Sequence, residues 1–125
     1  MVSTEIQEQQ ALFEWAEFAK QRHPELSLLF HIGNERKCSP QRGRQLKMAG
    51  IKPGVPDICL PVQRGKYGAL WIELKRRKGG TVSENQRAWL EKLNENGHKA
   101  VVCKGWDEAR AAIEEYLASG TTKTA

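Results

Sequence analysis

Two carboxylates stand in a belt of cations. Between Arg36 and Lys78 the chain carries twelve lysines and arginines, while Asp57 and Glu73 are the only acids. Glu73 lies in the run ALWIELK, two residues ahead of Lys75. An alternating strand there puts Leu70, Ile72 and Leu74 on one face and Trp71, Glu73 and Lys75 on the other. The segment DICLPV, across the turn signal QRGKYG, reads as its hairpin partner. Pairing Val62 with about Leu70 sets Asp57 opposite Lys75 and diagonal to Glu73, a backbone separation of roughly 7 Å. Carboxylates held so close repel, and a divalent cation between them relieves the repulsion. Mg²⁺ suits the place, because it takes oxygen ligands, keeps several waters and is commonly bound by one or two carboxylates plus a substrate phosphate. The ion can supply hydroxide and polarise a phosphoryl oxygen while Lys75 positions water or offsets developing charge, so the chemistry implied is metal-assisted hydrolysis of a phosphodiester. Arg36, Lys37, Arg42, Arg44, Lys47, Lys52, Arg76, Arg77 and Lys78 are the candidates for holding the nucleic-acid backbone. A plainer account makes Asp57 a turn residue after Pro56 and Glu73 with Lys75 a solvated strand face. Their isolation as the only acids in the belt favours the paired reading.

The rest of the chain must position that pair. Its 125 residues fit one domain with one core, expected over residues 1–118 with a flexible tail at 119–125. Twenty basic against fifteen acidic side chains leave a net charge of +5, which suits a polyanionic partner. Cys38, Cys59 and Cys103 are odd in number and contain no C-x-x-C, which argues against a disulfide framework or a zinc finger. The polar start MVSTEIQEQQ and the lack of a long apolar run predict a soluble, unsecreted, cytoplasmic protein with no membrane partner and no small-molecule cofactor.

Leu12, Trp15, Ala16 and Ala19 recur at helical spacing and predict a helix from Thr4 to about Arg22, stopped by His23-Pro24. Leu26–Ile32 reads as a strand, and 33–53 as a loop with a short helix at Arg42–Ala49. Pro61 places the DICLPV strand near an edge or bulge. Ser83–Asn96 is helical, with Trp89, Leu90 and Leu93 on one stripe and Gly97 at its end. HKAVVCK is a strand, and Asp107–Ala118 an amphipathic last helix. The order α-β-β-β-α-β-α predicts an α/β fold, a mixed sheet flanked by helices.

G-V-P-D at 54–57 followed by E-L-K at 73–75 resembles the PD-(D/E)xK nuclease signature. The LKMAGIKPGVPD run, S-E-N-Q-R-A-W-L after the motif, the glutamate-bearing first helix and the His31/Asn34/Glu35 segment are more specifically similar to the VRR-NUC branch, the virus-type replication and repair nucleases. The resemblance spans nearly the whole chain. It implies a restriction-endonuclease-like core, Mg²⁺ or Mn²⁺ as cofactor and DNA as partner. Minimal members of this kind, expected in phage or bacteria, look like Holliday-junction resolvases that act as homodimers in replication and repair. Carried over, Asp57 and Glu73 become metal ligands, Lys75 the catalytic lysine and Gln86 an active-site accessory. A first-helix glutamate is also expected as catalytic and metal-binding, either Glu5 or Glu8. Both fall on the inward stripe, and the alignment of E-x-x-x-Q with Gln9 favours Glu5.

Several of these residues also have structural readings. S-x-x-Q at Ser83–Gln86 is a capping box, and first-turn acids suit a helix dipole. His31 reads as a structural histidine more readily than a ligand, His23 and His98 as boundary residues, Trp15 and Trp89 as core. Trp71 packs under the first helix or stacks on a base, with packing the favoured role. The reading reached is a structure-selective DNA endonuclease, since no recognition helix or extra specificity domain is visible in the sequence. Its rivals are a catalytically silent DNA-binding or assembly module and a nuclease of different preference: flap, single strand, RNA or exonucleolytic.

Overall fold

The computed structural model describes residues 3–33 and 39–120. Helix α1 (Glu5–Ala19) opens with the Thr4 hydroxyl accepting from Gln7 N at 3.1 Å while Gln7 Oε1 accepts from Thr4 N at 2.9 Å, a reciprocal cap. The next segment departs from the expected strand. Pro24, with φ fixed and no N–H to lose, opens a 3₁₀ turn over Pro24–Leu28, and strand β1 keeps only Phe30–His31. Leu26 and Leu29, three apart and therefore on one side of such a turn, are both buried in the core. A short apolar run does not distinguish that arrangement from a strand.

Helix α2 (Pro40–Met48) is capped by Ser39, whose side chain accepts from Arg42 N at 3.0 Å, and it buries none of its residues. It begins two residues before the helix expected within 33–53. Strands β2 (Ile58–Leu60) and β3 (Leu70–Lys75) pair antiparallel, helix α3 (Glu84–Glu95) crosses over, strand β4 (Lys99–Lys104) runs parallel to β3, and helix α4 (Trp106–Ala118) closes the fold. The sheet order is β1-β2-β3-β4, mixed as expected. Ile58, Leu60, Leu70, Ile72 and Leu74 face Leu12, Ala16, Ile113 and Tyr116, so α1 and α4 cover one side of the sheet. Glu73 lies on the other side, where α3 packs.

The β2–β3 register differs from the expected one by two residues. Ile58 pairs with Ile72, Cys59 with Trp71 and Leu60 with Leu70. Pro61 ends β2, the Val62 N–H turns back to the Leu60 carbonyl at 2.9 Å, and Arg64 and Tyr67 close a separate turn. The irregular stretch absorbs the difference. An even shift preserves the facing of every side chain, and extrapolating the ladder one residue sets Asp57 against Glu73 instead of Lys75.

Helix α4 ends at Ala118; the last five residues of the expected tail lie outside the described residues. Among the described residues no helix is long and apolar enough to cross a membrane.

Candidate active site

Asp57 enters β2 through a constrained loop. Gly54 has φ +92°, and a Cβ there would lie 2.6 Å from the Asn85 carbonyl carbon, so the absence of a side chain lets the loop press onto the first turn of α3. Pro56 is buried behind it. Asp57 Oδ2 accepts from the Leu74 N–H at 3.0 Å, and the Asp57 carbonyl accepts from Ile32 N–H. His31 Nδ1 sits 3.0 Å from the same carbonyl, a contact that places the proton on Nδ1. The ring thus ties β1 to Asp57, in keeping with a structural histidine.

Glu73 is 1 % exposed. Its Oε2 accepts from Gln86 Nε2 at 3.1 Å and meets Lys75 Nζ at 3.4 Å, while the buried Oε1 has no hydrogen-bond partner. Burial, and then the Asp57 charge, push the Glu73 carboxyl up to about 8 against the opposing pull of Lys75. Lys75 is itself buried, at 5 % exposure. The site is a desolvated acid, a second acid crowding it, and one ammonium.

Gln86 joins the two roles that looked like alternatives. Its Oε1 accepts from Ser83 N at 2.9 Å to complete the capping box, which turns its Nε2 toward Glu73. One amide therefore caps α3 and steers the carboxylate.

Two clefts meet at Asp57. One, of about 830 Å³, is lined by Glu5, Gln9, His31 and Arg76 among others; the second, of about 710 Å³, by Arg44, Lys47, Lys52, Lys75 and Gln86. The two first-helix acids part company here. Glu5 lines the first cleft, whereas Glu8 is buried with Oε1 on the Trp106 N–H at 2.9 Å and Oε2 on Arg77 Nε at 3.1 Å. Among the described residues no three of His, Cys, Asp or Glu gather as a ready-made metal cage. Arg42 and Lys78 lie on the surface, and Arg77 also pairs with Asp107 at 2.9 Å. Arg36 and Lys37, with Asn34, Glu35 and Cys38, fall outside the described residues.

A family model for the VRR-NUC domain matches residues 4–107. The chain belongs to the VRR-NUC family. Among solved structures it is similar to a VRR-NUC domain protein at 27 % identity and a TM-score of 0.81, over 94 % of this chain and 90 % of that one. No curated protein matches. Membership of the VRR-NUC family makes this a nuclease domain of the PD-(D/E)xK type.

The VRR-NUC chain also contains links that its sequence concealed. The Glu8–Arg77 pair joins residues 69 positions apart; the visible signal was an acid four residues before Leu12 on the apolar stripe of α1. His98, read as a boundary residue, stacks edge-on against Trp71 at 5.9 Å, which gives Trp71 a packing role. Trp15 is partly buried on the core, with the Arg110 guanidinium 5.6 Å from its ring. Burial pushes the Cys59 and Cys103 thiols up to about 11 and about 12, away from nucleophilic use.

Proposed function

We propose that this nuclease domain is a divalent-metal-dependent DNA endonuclease, selective for DNA structure and acting as a homodimer on branched DNA such as a four-way junction. The observation that carries the metal is Glu73 Oε1, a buried carboxylate oxygen with no donor, on an acid crowded by Asp57. Lys75 and Gln86 satisfy only the other Glu73 oxygen, and a buried carboxylate oxygen left without a donor beside a second acid is matched by a hard cation with oxygen preference. Asp57 and Glu73 would hold Mg²⁺ or Mn²⁺, with Glu5 lining one of the two clefts that meet at Asp57. When bound, such an ion acts as a Lewis acid on the phosphoryl oxygen and lowers the pKa of water.

The chain's own groups do the rest. Lys75, held against Glu73, presents ammonium protons to the charge that builds on the phosphoryl oxygens. Gln86 fixes the Glu73 carboxylate from α3. Arg44, Lys47 and Lys52 line one cleft at Asp57 and hold flanking phosphates, while Arg76 lines the other and Arg42 and Lys78 are further exposed cations for the same backbone. Structure selectivity and the dimer rest on the likeness to junction-cutting members of the family and on the two-fold geometry of paired cuts.

The test is a cleavage panel of labelled duplex, single strand, flap, fork and four-way junction, with Mg²⁺, Mn²⁺ and EDTA lanes and Lys75→Ala as control. Metal-dependent cutting of the junction that vanishes in the variant is the expected result. Binding without cutting under every metal would turn the reading toward a silent module. Light scattering that gives a monomer both free and on junction DNA would remove the dimer.

A further inference from the structure

The geometry points to Glu8 and Arg77 as an anchor that positions the cleavage site, instead of a metal ligand and a DNA contact; the inference rests on the nuclease reading above. Glu8 is 2 % exposed, yet both its oxygens are engaged by elements remote in the chain: Trp106 N–H at 2.9 Å and Arg77 Nε at 3.1 Å. The Arg77 guanidinium continues to Asp107 Oδ1 at 2.9 Å. Helix α4 depends on this carboxylate. Its N-cap is Gly105, which has no side chain to cap with, and Glu8 satisfies one of the otherwise unpaired N–H groups of the first turn, that of Trp106. The positive end of the helix favours an anion there.

Gly105 brings the third element to the same point. Its N–H donates to the Lys75 carbonyl at 2.8 Å, and with φ +87° it leaves the Arg77 side chain a passage that a Cβ would narrow to 3.0 Å. The start of α4, the exit of β3 and the first turns of α1 are therefore fastened together two residues beyond Lys75. Two consequences reach the site. Glu5 lies three residues before Glu8, so the rotation of α1 set at Glu8 also sets where Glu5 meets the cleft. With Arg77 drawn to Glu8, its neighbour Arg76 lines the cleft beside Asp57. Both Glu8 oxygens are engaged away from the cleft, and Arg77 is held between two carboxylates, Glu8 and Asp107.

The rival role for Arg77, a phosphate contact, makes opposite predictions. Arg77→Met and Glu8→Gln are compared with Lys52→Ala, and Arg77→Lys serves as the conservative variant that keeps the charge if the others fold poorly. As an anchor, Arg77→Met and Glu8→Gln lower the single-turnover cleavage rate by about 10- to 100-fold and raise the Mn²⁺ Kd. DNA affinity in EDTA and its salt slope stay within twofold of wild type, and Arg77→Lys recovers part of the rate. Lys52→Ala, the phosphate-contact reference, weakens binding with a slope shallower by about 0.9. If Arg77→Met instead weakens DNA binding with a shallower slope at an unchanged rate, Arg77 is a phosphate contact and the proposal falls. Unchanged rate, metal affinity and binding in both anchor variants overturn it as well. Should the wild type cut nothing under any metal, the nuclease reading fails on its own, and the anchor stands or falls on the Mn²⁺ Kd and the salt slope.

Discussion

Replacing Glu73 by glutamine should abolish a pH dependence of stability that the metal-free protein carries. The folded carboxyl titrates at about 8, against an ordinary value of 4.5, because it is buried beside Asp57. Between those values the folded state binds a proton that the unfolded chain has released. Stability therefore falls as pH rises through the window, at a slope approaching 1.4 kcal/mol per pH unit where the proton difference is full. The stabilising proton is fully present in both states below about 4.5 and lost from both above about 8. Water entry and partial relaxation around a crowded pair reduce the ideal total, so a loss on the order of 2–4 kcal/mol is expected between pH 5 and pH 8. Urea unfolding in EDTA at several pH values measures it directly. Glu73→Gln shifts the overall stability, since Lys75 loses a partner, but flattens the slope in this window. Saturating Mg²⁺ flattens it in the wild type too, because the ion takes over from the proton. Parallel pH profiles for wild type and variant in EDTA would refute the assignment of the strain to Glu73.

Three further outcomes follow from other contacts. Gln86→Glu keeps a capping-box acceptor but removes the amide donor to Glu73 and adds a like charge; thermal unfolding should show α3 still capped, while the cleavage rate drops by about tenfold or more. Gln86→Ala also loses the cap, at about 1 kcal/mol. A Lys47→Ala/Lys52→Ala double variant should bind DNA with a log–log salt slope shallower by nearly two, measured by fluorescence anisotropy, with the cleavage rate of the bound complex preserved. Gly54→Ala places a Cβ against the Asn85 backbone at positive φ, so it should destabilise the fold by about 1–3 kcal/mol in urea and slow cleavage by displacing Asp57 from Glu73.

The pattern in the primary structure was sufficient for the pair itself. Alternation along β3 assigns Glu73 and Lys75 to one face whatever the partner strand does, and an even register error leaves Asp57 on that face. The capping box at Ser83–Gln86 is a local three-residue relation and the apolar spacing of α1 is equally local, so the starts of α1 and α3 were legible to within a residue; the Ser39 cap was not read, and the start of α2 was placed two residues late. The 3₁₀ turn at Pro24–Leu28 was not, because burial of Leu26 and Leu29 against α1, more than local propensity, selects it over a strand. Nor was the register, which depends on how Pro61 and the 64–67 turn absorb residues between β2 and β3.

Glu5 and Glu8 show the boundary most clearly. Both belong to the inward stripe by helical spacing, and composition alone treats them as equals. Their separation into a cleft acid and a buried anchor is decided by Arg77 and by the Trp106 N–H, 69 and 98 residues away. Periodicity carries the direction in which a side chain points, since that depends on its own helix or strand. Which group waits there is a property of packing among distant segments, and only the folded chain supplies it.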